Sequence, residues 1–362
     1  MNEMWNIVLY YVVFMKGEYM EEKRKGKIGT YLYEALLMSV VSYAIAMLIT
    51  STNRSIVITV VAAAVILFLV DCICFRCIRR NRLGTRVIIV IVLGIVNGVA
   101  TLFVAIYCLA PTLLFWPSVD QTIYDEVASY PAIEAITLDS NEGELSGWML
   151  HNAEDGAPLI IYYGGNGETA SRRMRNIHEQ EWDYLFEGYN FVMMNYPGYE
   201  TSEGGPSDHA LKTMGLAVYD GLSKRQDVNP EQIYIWGYSI GTGVSNYVAS
   251  QRSVKGLLLM APYSSGFDLY NNFVNIFYGP LRALVDFDMA SEEFATKISV
   301  KPTILASKKD EIVGYWTSKS LSEQYPKGCN FLTLEDIGHN DFWINEGSRS
   351  MIQSYFKEEL GQ

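Results

Sequence analysis

Apolar residues fill three stretches near the start of the chain almost without interruption, 31–50, 56–75 and 87–109. Each is close to the roughly 20 residues that a helix needs to cross the hydrocarbon core of a bilayer. None carries the polar face of a helix on the surface of a soluble domain. Their charges are Glu34 at the edge of the first run and Asp71 near the end of the second. The pattern predicts an all-α transmembrane region of three helices within 31–116. An earlier apolar run, 4–15, is short for a span, has no basic flank before it and no clear cleavage site after it, which favours an interfacial or cytoplasmic segment over 1–30 rather than a signal peptide.

From about residue 119 the pattern changes to short β-branched and aromatic runs, separated by Gly- and Pro-containing turns and by longer helical stretches. This alternation predicts a mostly parallel eight-stranded sheet flanked by helices over 119–362. Strands are expected at 134–140, 144–151, 158–163, 190–196, 232–238, 254–261, 303–307 and 330–335. Helices are expected at 169–188, 207–225, 241–252 and 340–360. No internal repeat or low-complexity segment interrupts the domain.

Charge divides the chain in the same place. The 362 residues are 49% hydrophobic and only 19% charged, with a net charge of −12. Residues 1–116 hold 11 Lys and Arg against 6 Asp and Glu, a balance of +5, and the remainder holds 17 against 34, a balance of −17. Nucleic acid is thereby excluded as a partner, because its phosphates require a basic face. Lys16, Lys23, Arg24, Lys25 and Lys27 precede the first span, and Arg76, Arg79, Arg80, Arg82 and Arg86 fill the loop before the third. Basic loops stay cytoplasmic, so three crossings place everything after Trp116 on the extracytoplasmic side of a cell membrane. Trp116, with Tyr107 and Phe115, suits an aromatic belt at the interface. Of five Cys, only Cys329 lies in the outer domain, which therefore has no internal disulfide. Cys72, Cys74 and Cys77 cluster without a nearby His and are read as lipid-facing residues rather than a metal site.

The chemistry-bearing motif is Gly237, Tyr238, Ser239, Ile240, Gly241. An apolar strand, Ile233 to Trp236, enters it and a helix leaves it. A strand that turns sharply into a helix needs small residues on both sides of an exposed serine, and Gly237, Gly241 and Gly243 supply them. A serine needs a base to take its proton. Of four His, His151, His178 and His209 fall in a strand, in a charged helix and at a helix start, whereas His339 follows a strand and precedes the last helix. Its orienting acid is expected after the strand 303–307, making Asp310 the first choice and Asp268 the alternative. Asp336 and Asp341 lie too close in sequence to His339. Two backbone N–H groups should face the developing oxyanion, one from Ile240 and one from Asn166 in the glycine-rich Tyr163–Gly167 run. The chain order Ser, Asp, His is that of an α/β-hydrolase. Such chemistry calls for no metal or organic cofactor.

These pieces together resemble the α/β-hydrolase superfamily, and within it are similar to its membrane-anchored, Bem46-like and serine aminopeptidase-like branch. The resemblance rests on Gly164–Gly167, on Asn195 to Tyr199 with Ser202, Glu203 and Gly204, and on the Ser239 turn. Pro262, the run Lys309 to Val313, and Gly338 to Asn340 complete it. It implies the α/β-hydrolase fold, Ser239 as nucleophile, His339 as base, Asp310 as acid and Asn166 as an oxyanion donor. Two departures stand out: the family often has Arg at Pro197 and Gly at Glu200, so the loop after the fourth strand is expected to differ in shape. The function expected is hydrolysis of a carboxylic ester or thioester on a small-molecule or lipid-like acyl substrate at a lipid bilayer. Amide hydrolysis of the aminopeptidase kind and a non-catalytic membrane protein retaining the fold are the alternatives. Residues 264–298, rich in aromatic side chains, allow only a short cap, read as core packing rather than an acyl pocket. A membrane tether together with an acidic surface suggests an uncharged or lipid-like ester, since an anionic substrate would be repelled.

Overall fold

The structure, a computed structural model, describes residues 114–361 apart from 286, together with Ile88, Ile91, Val92, Ile95, Val96, Gly98 and Val99, all helical. The expected segment 1–30, the spans 31–50 and 56–75 and most of 87–109 lie outside the described residues, as do the four cysteines before residue 110. Among the described residues no helix is long and apolar enough to cross a membrane. Met1–Leu109 and Ala110–Gln362 separate as two compact units, and the sheet belongs to the second.

Eight strands form that sheet: β1 (Ile133–Ser140), β2 (Gly143–Leu150), β3 (Leu159–Tyr163), β4 (Asn190–Met194), β5 (Ile233–Tyr238), β6 (Gly256–Met260), β7 (Thr303–Ser307) and β8 (Asn330–Leu334). They lie in the order β1-β2-β4-β3-β5-β6-β7-β8. β1 and β2 make an antiparallel hairpin, β2 pairs antiparallel with β4, and every later pairing is parallel. The five strands from β3 to β7 are buried at every position. That is the expected state of a sheet covered on both faces and explains their unbroken apolar runs. After β3 the chain moves to one side to form β4, then crosses back to form β5 on the other. The carboxyl ends of β3 and β5 therefore diverge, which opens a crevice at the point where open α/β sheets bind ligands.

The connecting helices are α1 (Gln121–Val127), α2 (Ala170–Glu179), α3 (Asp208–Leu222), α4 (Ile240–Gln251), α5 (Gly266–Phe273), α6 (Ser291–Ala295), α7 (Tyr315–Ser322) and α8 (Glu346–Glu359). Thr169, Ser207 and Asn345 cap α2, α3 and α8, each accepting a hydrogen bond from the third residue beyond it, which satisfies an otherwise orphaned amide. The expected helix 169–188 is shorter than its pattern: Glu181, at φ 53°, breaks it, and a separate 3-10 turn covers Trp182–Phe186. Likewise 340–360 divides into a 3-10 turn, His339–Asp341, and α8. Between β6 and β7 the described residues form α5, a 3-10 turn at Gly279–Leu284 and α6, the short cap expected.

Aromatic side chains organise the core on one side of the sheet. Trp236 of β5, fully buried, stacks on Trp343 with ring centroids 4.7 Å apart and meets Tyr162 edge-on at 5.3 Å. Its indole N–H has no acceptor. The ring and not the donor thus carries the stabilisation. Trp236→Ala is expected to destabilise the domain by about 3–5 kcal/mol, and Trp236→Phe by much less, because it keeps an aromatic ring and removes an unsatisfied donor. Chemical denaturation midpoints of the two variants check this.

Candidate active site

The turn from β5 into α4 places Ser239 at φ 52° and ψ −122°. A non-glycine residue in the left-handed region is strained by about 1–3 kcal/mol and persists only where its surroundings hold it. Two neighbours do so here. The Ser239 N–H donates to the Met260 carbonyl at 2.9 Å, and the Thr242 hydroxyl and N–H return to the Ser239 carbonyl at 2.6 and 2.9 Å. The flanking glycines are required by contact: a Cβ on Gly237 would meet Thr242 Cα at 2.8 Å, and one on Gly241 would fall onto the Tyr163 carbonyl. The helix after the turn is thereby pressed against the end of β3.

Three side chains from three loops meet at this point. His339 Nε2 lies 2.8 Å from Ser239 Oγ, and His339 Nδ1 lies 2.8 Å from Asp310 Oδ2. All three residues are buried. The other oxygen of Asp310 accepts the backbone N–H groups of Ile312 and Val313 at 2.9 and 2.7 Å, so the carboxylate is fixed as an acceptor. With Nδ1–H donating to Asp310, Nε2 presents a lone pair to the hydroxyl. Such an imidazole is placed to take a proton from Ser239 as the oxygen attacks. The imidazole is clamped in turn. The His339 backbone carbonyl accepts the Tyr238 hydroxyl at 2.6 Å, the His339 backbone N–H donates to Glu311 Oε2 at 3.2 Å, and the imidazole lies over the Tyr238 ring with centroids 5.3 Å apart. Burial pushes the Tyr238 phenol far above its ordinary value, aided by the nearby Glu168, so it remains a donor at any working pH.

A cavity of about 420 Å³ opens over Ser239 and His339 and is lined also by Asn166 and Ile240. Ile240 is the first residue of α4, so its N–H has no intrahelical acceptor. The Asn166 N–H likewise has no acceptor among the described residues. Its side chain instead takes the Trp116 N–H at 3.0 Å and the Tyr199 hydroxyl at 3.1 Å. Trp116, expected at a membrane interface, thus forms part of the cavity wall, while Phe115 packs edge-on against Phe287 at 5.6 Å. Among the described residues of the segment between β6 and β7, only Leu269 lines the cavity. Tyr270 and Phe277 pack on each other at 5.5 Å, as core.

Glu168 and Arg173 were not anticipated. Glu168 Oε2 accepts the Gly165 N–H at 2.7 Å and the Tyr162 hydroxyl at 3.1 Å, while its other oxygen is held by the Arg173 guanidinium. Arg173 stacks over the Trp343 ring at 3.8 Å. Burial alone would lower the guanidinium, but Glu168 beside it outweighs this and holds it above its ordinary value. The pair thereby pins the glycine-rich loop that carries Asn166. A charged residue immediately after a glycine run was the only sequence signal of it.

The remaining candidates lie elsewhere. Asp268 accepts from the Ser264 and Ser265 hydroxyls at 2.5 and 3.0 Å and has no bond to His339. His151 pairs with Glu134 at 2.8 Å, His178 lies against the Tyr130 ring, and His209 is largely exposed. Glu134, His151 and Asp227 come within ligating reach of one another, but Arg225 bonds both carboxylates at 2.9 and 2.6 Å and supplies the positive charge itself. Glu200 adopts φ 47°, the left-handed backbone that glycine favours. Its carboxylate accepts from Ser171 Oγ and Asn195 Nδ2 at 3.0 and 2.9 Å.

Comparison with known proteins agrees with this architecture. The model of the alpha/beta hydrolase fold family matches residues 157–283. An uncharacterized protein of Mycobacterium tuberculosis (strain CDC 1551 / Oshkosh) is 25% identical over 262 residues, 72% of this chain and 90% of that protein. A lysophosphatidylserine lipase of Danio rerio is 27% identical over 191 residues, 48% of this chain and 49% of its own length. Among solved structures, an alpha-beta hydrolase from Vibrio vulnificus aligns with a TM-score of 0.53 at 21% identity, covering 72% of this chain and 91% of that one.

Removing one partner of a buried ion pair leaves the other charge uncompensated, at a cost of about 3–5 kcal/mol. Glu168→Gln is expected to approach that loss in chemical denaturation, and Glu168→Gln combined with Arg173→Met to recover part of it.

Proposed function

We propose, from the premise that this chain belongs to the α/β-hydrolase superfamily, that it is a membrane-anchored serine hydrolase acting on a carboxylic ester or thioester. The observation that carries this reading is the unbroken chain Asp310–His339–Ser239, with 2.8 Å at each link. Ser239 Oγ attacks the acyl carbonyl while His339 Nε2 takes its proton. Asp310 holds the ring and stabilises the imidazolium, and the N–H groups of Ile240 and Asn166 receive the oxyanion. The imidazolium then protonates the leaving alkoxide or thiolate. Water, deprotonated by the same nitrogen, attacks the acyl-enzyme, and Ser239 regains its proton as the acid departs. Every proton is moved by a group of this chain.

Ester is favoured over N-terminal peptide hydrolysis by the charges in the cavity. Recognition of a free amine needs an available carboxylate. Among the described residues the only one on the cavity wall is Glu168, which Arg173 already neutralises. The lipase named among the relatives supports the same direction. Anchoring by residues 31–109, an extracytoplasmic position for the hydrolase domain, and membership of the Bem46-like branch complete the proposal. They rest on the three apolar runs, the basic loops and the ordered motifs.

Purified protein is expected to hydrolyse p-nitrophenyl butyrate faster than aminoacyl p-nitroanilides. Ser239→Ala should abolish turnover, and Asp310→Asn should lower kcat about 10⁴-fold by allowing the wrong imidazole tautomer. Undiminished hydrolysis by Ser239→Ala rules the mechanism out. In intact cells an added protease is expected to digest the domain after Trp116; protection until lysis contradicts the orientation.

A further inference from the structure

The charge of the domain and the charge of its cavity have opposite signs. Residues 117–362 carry 17 basic against 34 acidic side chains, which at a distance repels anions. Apart from the Tyr238 phenol, which stays protonated, the ionisable residues lining the cavity are Glu168, Arg172, Arg173 and His339. Glu168 and Arg173 cancel as an ion pair, and His339 is the neutral base of the proposed reaction. Arg172 is left over as a net positive charge. Fields from exposed charges fade beyond about 8 Å at physiological ionic strength, so the nearer guanidinium decides what a bound ligand meets.

Arg172 is half-buried, and among the described residues its guanidinium has neither an ion-pair nor a hydrogen-bond partner. It stands at the third position of α2, where the ten-residue helix directs its positive end. Asn176, one turn on and on the same face, lines the same wall, and its side-chain amide is likewise unengaged there. A second observation points the same way. Arg173, whose side chain is only 8% exposed, uses Nε and Nη2 on Glu168 and leaves Nη1 buried with no acceptor. A buried donor without a partner is unfavourable, and the wall thus holds two guanidinium groups with unmet donor capacity, while its one carboxylate, Glu168, is already taken. The lining also includes the apolar side chains Leu114, Leu269 and Ile312.

We infer that the cavity accepts an ester bearing a second, anionic group, a carboxylate or a phosphate, held by Arg172 with Asn176. This rests on the hydrolase reading of Ser239 and departs from the expectation of an uncharged substrate drawn from net charge. Arg172 is a specificity-determining residue: it places the substrate and takes no part in moving protons.

Two matched ester pairs test this, because the anion belongs to either half of the substrate: p-nitrophenyl valerate with mono-p-nitrophenyl glutarate, and phenyl acetate with 4-acetoxybenzoate. In one pair at least, kcat/KM is expected to favour the anion about tenfold, the scale of one charge-assisted contact. Arg172→Gln should remove that preference and Arg172→Glu should reverse it. Hydrolysis of the neutral esters with no anion preference in either pair, or a preference that survives Arg172→Gln, overturns the inference while leaving the hydrolase standing. A second measurement needs no turnover. In Ser239→Ala protein, glutarate and glycerol 3-phosphate are titrated against the fluorescence of the cavity tryptophans Trp116, Trp182 and Trp343. Saturable binding of either that is lost in the Ser239→Ala, Arg172→Gln double variant supports the site even if no ester is hydrolysed, and shows which anion it prefers. No binding of either, or binding indifferent to Arg172, rejects it.

Discussion

The ring of His339 is bonded through both nitrogens, and that double engagement sets the requirements on the rest of the domain. One bond reaches a carboxylate at the end of β7 and the other a hydroxyl at the end of β5. The ring itself stands just beyond β8. These ends come together because β5, β6, β7 and β8 are consecutive parallel neighbours, so their carboxyl termini share one edge. A slip of one residue in any pairing would turn the side chains to the opposite face and break the chain of bonds. The apolar strands are in this sense the alignment device for two contacts of 2.8 Å.

Holding the serine in place requires backbone strain at Ser239, and the turn is stabilised from several directions at once. Thr242 returns to the Ser239 carbonyl, the Met260 carbonyl takes its N–H, and the helix beyond it can approach β3 only because residue 241 lacks a side chain. The same economy of space governs the glycine-rich loop, where Glu168 occupies the Gly165 N–H, while that of Asn166 has no acceptor among the described residues. A carboxylate so placed requires a counter-charge, which Arg173 provides, and Arg173 requires a surface, which the Trp343 ring provides. Trp343 in turn stacks on Trp236 of β5. The glycine-rich loop and the aromatic core are thus parts of one packed assembly.

Much of this was legible from residue order alone. All eight strands were anticipated, within two residues at each end, because buried parallel strands are unbroken apolar runs bounded by turns. Ser239 and His339 were identifiable because a strand, a glycine-flanked serine and a helix form a local pattern and because histidine is scarce. The preference for Asp310 over Asp268 followed from chain order, which a sheet with consecutive strands β6, β7 and β8 translates into position. Four features were not legible. α1, α5, α6 and α7 are five to eight residues long, too short for periodicity to stand above chance. Glu168 and Arg173 appear as ordinary surface charges until the fold buries them. Trp116 reads as an interfacial aromatic, yet its amide is tied to Asn166 and Tyr199, fifty and eighty-three residues away. The placement of Arg172 in the cavity wall is likewise invisible to net charge, because composition averages over the whole domain.

The central claim is that Ser239 is a nucleophile activated by His339. Peptide mapping by mass spectrometry after reaction of the intact protein with a fluorophosphonate tests it most directly. The account requires a single stoichiometric adduct on the peptide containing Tyr238, Ser239 and Ile240, and its loss when His339 is replaced by Gln. An adduct on another residue, or labelling of Ser239 that is indifferent to His339, would contradict it.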